Sequence, residues 1–99
     1  MLIVAGTFTV DPGRRFEFLE SRLEAIHTSR SEPGCLQYAM SADAVDPAVV
    51  RLFEIWSSRA DLQAHLERVR SSAPREGDVP VLAHDLKMYM HAEEQAFGA

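Results

Sequence analysis

The stretch Val49-Val-Arg-Leu-Phe-Glu-Ile-Trp56 leaves this chain the least freedom. It is β-branched, aliphatic and aromatic, interrupted by Arg51 and Glu54 alone, and it lies between Asp46-Pro47 and Ser57-Ser58. An apolar run this short, set between turn formers, fits a buried strand and is too short for an ordinary helix.

The flanking sequence supplies partners. Leu2 to Val10 is β-branched and aromatic and reads as a first strand. Asp11-Pro12 is a helix start, because an aspartate accepts from orphan N–H groups and proline's fixed φ suits the first helical position. The helix is expected from Pro12 to about Ser31, with Phe16, Leu19, Leu23 and Ile26 as its apolar stripe. Pro33-Gly34 stops it. Cys35 to Ser41 reads as a second strand, and the turn Asp43 to Pro47 joins it to Val49–Trp56 as an antiparallel hairpin. Ser57 or Ser58 caps a second helix, Arg59 to about Ser71, with Leu62, Leu66 and Val69 as its stripe. A polar loop leads to a last strand, Val79 to His91, bent at Pro80. Ala92 to Ala99 is expected to be a short helix or a frayed tail.

The order β-α-β-β-α-β describes a ferredoxin-like α+β fold, one four-stranded antiparallel sheet with two helices on one face. All 99 residues make a single domain, 1–99. The helices leave one sheet face bare. A bare apolar face of that size is costly in water, so pairing with a second copy, sheet against sheet, is expected.

Charge and cysteine usage narrow the partners. Ten Lys+Arg against 15 Asp+Glu give a net charge of −5, which repels phosphate backbones. The basic cluster Arg68, Arg70 and Arg75 is too small to reverse this, so nucleic acid is not an expected partner. Cys35 is the single cysteine, so no intramolecular disulfide forms, which fits a reducing compartment. The opening Met1-Leu-Ile-Val-Ala-Gly6 has no basic start and too short an apolar run for a signal peptide or a membrane span. The expected location is cytoplasmic, with no membrane partner.

Three stretches carry a family resemblance. Arg30-Ser-Glu-Pro-Gly-Cys-Leu-Gln-Tyr38 ends a helix at Glu-Pro-Gly-Cys and places a tyrosine three residues later. Phe53-Glu-Ile-Trp-Ser57 ends a strand in Glu-x-Trp. Asp61-Leu-Gln-Ala-His-Leu66 lies on the next helix. In this order, and across nearly the whole chain, they resemble the antibiotic-biosynthesis-monooxygenase family. The resemblance implies a dimeric α+β barrel with a pocket in each monomer between sheet and helices. It also implies oxidation of phenols or hydroquinones by O2 without metal or flavin. A related branch degrades haem. This chain departs from the pattern at Leu52, where quinone-forming members can carry Asn, and at Arg70, where others carry a second His.

Cofactor-free oxygenation needs a dry pocket, a proton acceptor, and a donor that fixes the substrate anion, because triplet O2 reacts readily only with an electron-rich partner. His65 is the expected acceptor, since it sits at the edge of the second helix's stripe and imidazole titrates near neutrality. A histidine merely satisfied at the helix–sheet seam is the plainer alternative. Trp56 is the second expected catalytic residue, offering its indole N–H to a substrate oxygen, or else a core tryptophan. Leu52 and Glu54 share its strand face. They are expected to line the substrate site with Tyr38, His27 and Leu62, although structural pairing is the more natural role for a buried Glu54. His84 and His91, seven apart on one strand, cannot converge on a metal, and no ligand-type spacing occurs elsewhere. No metal or cofactor is expected beyond O2 as co-substrate.

The leading expectation is therefore a cofactor-independent monooxygenase acting on a small phenolic, hydroquinone or polyketide-like aromatic. A non-catalytic small-molecule-binding protein on the same scaffold is the alternative. Haem degradation, with His65 or His27 as axial ligand, is a third.

Overall fold

The computed structural model describes residues 1–98. The elements are β1 (Leu2–Thr9), a 3-10 turn (Pro12–Arg14), α1 (Arg15–Ser31), β2 (Cys35–Ala42), β3 (Val49–Trp56), α2 (Arg59–Arg70) and β4 (Ala83–Tyr89). The strands form one antiparallel sheet in the order β2-β3-β1-β4, the ferredoxin-like arrangement.

Local chemistry sets the element ends. The Asp11 carboxylate accepts from Gly13 N–H at 2.9 Å, so the entry to α1 is one 3-10 turn rather than α-helix from Pro12. Glu32 is extended (φ −72°, ψ 147°) because the following proline disfavours helical backbone there, and Gly34 (φ 77°) completes the turn. Ser58 caps α2 by accepting from Asp61 N–H. The Arg15 guanidinium donates to the Asp43, Asp46 and Val49 carbonyls, pinning the β2–β3 turn to the start of α1.

Three sequence expectations need correction. The buried face of α1 is Phe18, Ile26 and Ser29, whereas Phe16 and Leu23 are 74% and 53% exposed. The apolar residues of this helix, Phe16, Phe18, Leu19, Leu23, Ala25 and Ile26, spread over about half of its circumference, wider than the strip the sheet covers, so packing against the sheet chooses among them. On α2 the buried pair is Leu62 and His65, while Val69 is exposed. The last strand begins at Ala83 rather than Val79, because Pro80 has no N–H to give a ladder. Val79 instead plugs a small core with Val10, Phe18 and Val50. Residues 92–98 hold neither helix nor strand. Of these, 92–96 share a cleft with Met1, Ile3 and Ile55 at one end of the outer sheet face.

Register sorts the sheet into two faces. Leu2, Val4 and Phe8 stand beside Trp56, Glu54 and Val50, and this row faces the helices. The outer row includes Ile3, Thr7, Arg51, Phe53 and Ile55. Leu86 and Met88 pair with Gly6 and Val4 on the helix-facing row and yet stay exposed.

Candidate functional site

The site grows from the β2–β3 pairing. Tyr38 lies opposite Glu54, Cys35 opposite Trp56 and Met40 opposite Leu52. Cys35 and Tyr38 are three apart and would face opposite ways on a regular strand. A register shift between Cys35 and Gln37 inserts one residue, and both then pack on the Trp56 face. The Ser58 cap orients α2 so that Leu62 and His65 descend onto this face.

The result is a closed polar cluster within the main core. Trp56 is 0%, His65 3%, Glu54 5% and Tyr38 8% exposed. The His65 ring lies between two aromatics, 4.7 Å from Trp56 and 5.5 Å from Tyr38, centroid to centroid. The Trp56 indole N–H donates to Glu54 Oε1 at 2.8 Å. His65 Nδ1 meets Glu32 Oε1 at 2.8 Å, and because a carboxylate only accepts, Nδ1 is the nitrogen that carries a proton. Nε2 faces Glu54 Oε1 at 3.8 Å. In the neutral ring that nitrogen is the free acceptor. Behind Glu32, Arg68 donates from Nε and Nη2 to both carboxylate oxygens at 3.1 Å, and Nη2 also reaches Ser29 Oγ.

The two carboxylates are tuned apart. Burial raises the Glu32 pKa, but the hydrogen bonds and charges of Arg68 and His65 outweigh it and hold Glu32 below the usual glutamate value. Burial also raises Glu54, and there the Trp56 hydrogen bond and the His65 charge do not compensate, while Glu32 pushes the same way. Burial, with Glu54 behind it, pushes the Tyr38 phenol up to about 12, so it is neutral at physiological pH. The Cys35 thiol is raised by burial and then by Glu54 and Glu32, which makes it a poor nucleophile.

Six of the seven expected residues, His65, Trp56, Tyr38, Glu54, Leu52 and Leu62, meet in this one core cluster. His27 does not join them; it is exposed, because the face of α1 turned to the sheet passes through Ile26 and Ser29. Sequence reading missed Glu32 and Arg68. They lie 33 and 36 positions from their partners, and the one local signal was that Glu32 precedes a proline and so leaves the helix path. Among the described residues, no three His, Cys, Asp or Glu side chains are grouped as metal ligands.

A sequence model of the family described as antibiotic biosynthesis monooxygenase matches residues 1–73. The chain belongs to the antibiotic biosynthesis monooxygenase family. The match takes in the whole polar cluster and ends before β4. An uncharacterized protein of Synechocystis is 31% identical over 96 residues, an alignment covering 95% of this chain and 65% of that relative. The chain thus spans just under two thirds of that protein. A candidate antibiotic biosynthesis monooxygenase from Deinococcus radiodurans superposes over 100% of both chains with a TM-score of 0.77 at 17% identity. A haem degrader of Mycobacterium tuberculosis, solved with two haems in its active site, superposes over 97% of this chain and 100% of its own with a TM-score of 0.72 at 12% identity. At such identities these two structures share the fold of this chain, and their chemistry stays their own. No helix among the described residues is long and apolar enough to cross a membrane.

Proposed function

We propose that this protein is a cofactor-independent monooxygenase that oxidises a small phenolic, hydroquinone or polyketide-like aromatic with O2, working as a homodimer. The observation that carries the reading is the partly buried Glu32–His65 pair, which holds the protonated Nδ1 and leaves Nε2 as an acceptor beside Trp56 and Glu54. The cluster is closed in this structure, so in this reading the seam between α2 and the sheet has to part before a substrate ring can reach Nε2. His65 removes the phenol proton. The phenolate gives one electron to O2, the radical pair closes a C–O bond at a ring carbon that bears hydrogen, and His65 returns its proton to the peroxide, which becomes a hydroperoxide. Loss of water leaves the quinone, with one oxygen atom in the product and the other in water. Dimerisation is supported by the outer sheet row, which presents Phe53 at 39% and Tyr89 at 52% exposure.

A second reading, a non-catalytic small-molecule-binding protein, is favoured by one specific observation. The indole N–H that would hold a substrate oxygen is already taken by Glu54. The haem alternative gains nothing from either histidine, since His65 is enclosed between two rings and His27 stands apart from the cluster.

Oxygen uptake by the chelator-treated protein over a panel of hydroquinones and anthrones tests the proposal. The expected result is turnover that His65→Ala lowers by about 10²-fold or more. Ligand-induced thermal stabilisation without oxygen uptake, in protein that sediments as a dimer, selects the binding protein instead. Sedimentation as a monomer at high concentration removes the dimer.

A further inference from the structure

We propose that Arg68 is a positioning residue for His65: acting through Glu32, it decides which ring nitrogen carries the proton and so keeps Nε2 free to accept one. Its part in catalysis rests on His65 being the proton acceptor proposed above. Two carboxylates compete for the neutral imidazole. Glu32 Oε1 lies 2.8 Å from Nδ1, and Glu54 Oε1 lies 3.8 Å from Nε2. A neutral ring has a single N–H and an ionised carboxylate only accepts, so the proton settles on the nitrogen whose carboxylate holds it better. A proton on Nδ1 leaves Nε2 as a base. A proton on Nε2 turns the donor toward Glu54 and takes the base out of the site. Glu54 is the more buried of the two, its side chain 6% exposed against 16%, so once ionised its charge is the less screened by water.

Arg68 tips this balance. It follows His65 by one turn of α2, so both side chains meet the same carboxylate. Its Nε donates to Glu32 Oε2 and its Nη2 to Oε1, both at 3.1 Å. That fork holds Glu32 ionised and fixes its plane, with Oε1 presented to Nδ1. Nη2 also donates to Ser29 Oγ at 3.1 Å. Ser29 gives its own proton to the Ala25 carbonyl, so its oxygen is free to accept, and at 1% exposure it anchors the guanidinium to α1. Among the described residues no lysine or arginine pairs with Glu54, whose hydrogen bond comes from the neutral indole of Trp56. The other neighbours of the ring, Tyr38 on β2 and Trp56 on β3, carry no charge at physiological pH. The one cation that separates the two carboxylates is therefore Arg68.

The tautomer is read directly by nitrogen-15 NMR of the imidazoles, on the full chain without substrate. The spectrum is taken at about pH 8.5, two units above the ordinary imidazole value. His65→Gln assigns the signals among the four histidines. The parent is expected to hold its proton on Nδ1. Arg68→Met is expected to move the ratio of the two tautomers by about tenfold or more toward Nε2–H. It is also expected to lower kcat for hydroquinone oxidation by about as much, with KM little changed. Arg68→Lys keeps the charge without the fork and is expected to recover part of both losses. Thermal midpoints report whether each variant folds; where Arg68→Met does not, a shift of about threefold in Arg68→Lys carries the test. A parent ring protonated on Nε2 overturns the proposal, as does a ratio unchanged in the folded variants, even where stability falls. A shifted ratio in a protein that consumes no oxygen leaves the tautomer control standing and sinks the oxygenase reading alone.

Discussion

Trp56 and Glu54, two residues apart on β3, share a hydrogen bond of 2.8 Å that places a carboxylate, 5% exposed, beneath α2. Burial raises the pKa of that carboxyl, and the indole donor and His65 only partly offset it. A raised pKa contributes stability that is fully present below the ordinary glutamate value of 4.5 and is lost as pH rises through the folded value. Charged Glu54 therefore destabilises the protein at neutral pH. Glu54→Gln keeps an acceptor for the indole and removes the charge. Its thermal midpoint is expected to exceed that of the parent at pH 7 and to converge with it near pH 4. A variant less stable at pH 7 would refute this assignment.

Glu32 should behave in the opposite way. Its pKa is lowered once the Arg68 and His65 contacts outweigh burial. Its stabilisation is then present above the ordinary value of 4.5 and is lost as pH falls through the folded one. Glu32→Gln is expected to cost about 1–3 kcal/mol at pH 7, because it weakens bonds to two partly buried donors. Denaturant titrations followed by the fluorescence of Trp56, the single tryptophan, should show that gap closing as the pH falls below the ordinary value of 4.5 and through the lowered one. A gap independent of pH would mean that packing, not charge, is Glu32's contribution.

Tyr38 offers a check at the alkaline end. With its phenol at about 12, against an ordinary 10, it stays neutral while ordinary tyrosines ionise. Stability from this group is complete below pH 10 and is lost as pH rises through about 12. Phenolate absorbance should contain a late step that Tyr38→Phe removes. A late step that survives the substitution would place the perturbed phenol elsewhere.

At Gly6 the backbones of β1 and β4 lie close together. Its φ is 157°, and a Cβ there would run into the Asp85 carbonyl. Gly6→Ala is expected to cost about 3 kcal/mol or more and to strip hydrogen-exchange protection from Leu86 and its neighbours on β4. The sheet of β2, β3 and β1 should keep its protection, since only the edge strand is displaced. Unchanged protection on β4 would contradict the crowding.

Much of the fold was legible because strand alternation, proline positions and helix caps act within a few residues. Val49–Trp56 kept its predicted bounds, and Asp11, Pro33-Gly34 and Ser58 each mark an element end or cap. The grouping of Leu52, Glu54 and Trp56 follows from strand periodicity, and Leu62 with His65 from one turn of helix.

The rest was decided by tertiary structure. Phe16 and Phe18 compete for the inner face of α1, and only docking on Val10 and Val50 settles it for Phe18. The bulge at the start of β2 changes which side chains share the Trp56 face, and strand alternation alone cannot foresee it. The Glu32–His65–Arg68 chain joins groups on separate elements. Local sequence constrains backbone torsions over a handful of residues. Which polar groups end up facing one another across the core is set by how the elements pack, and that is where this protein's chemistry lies.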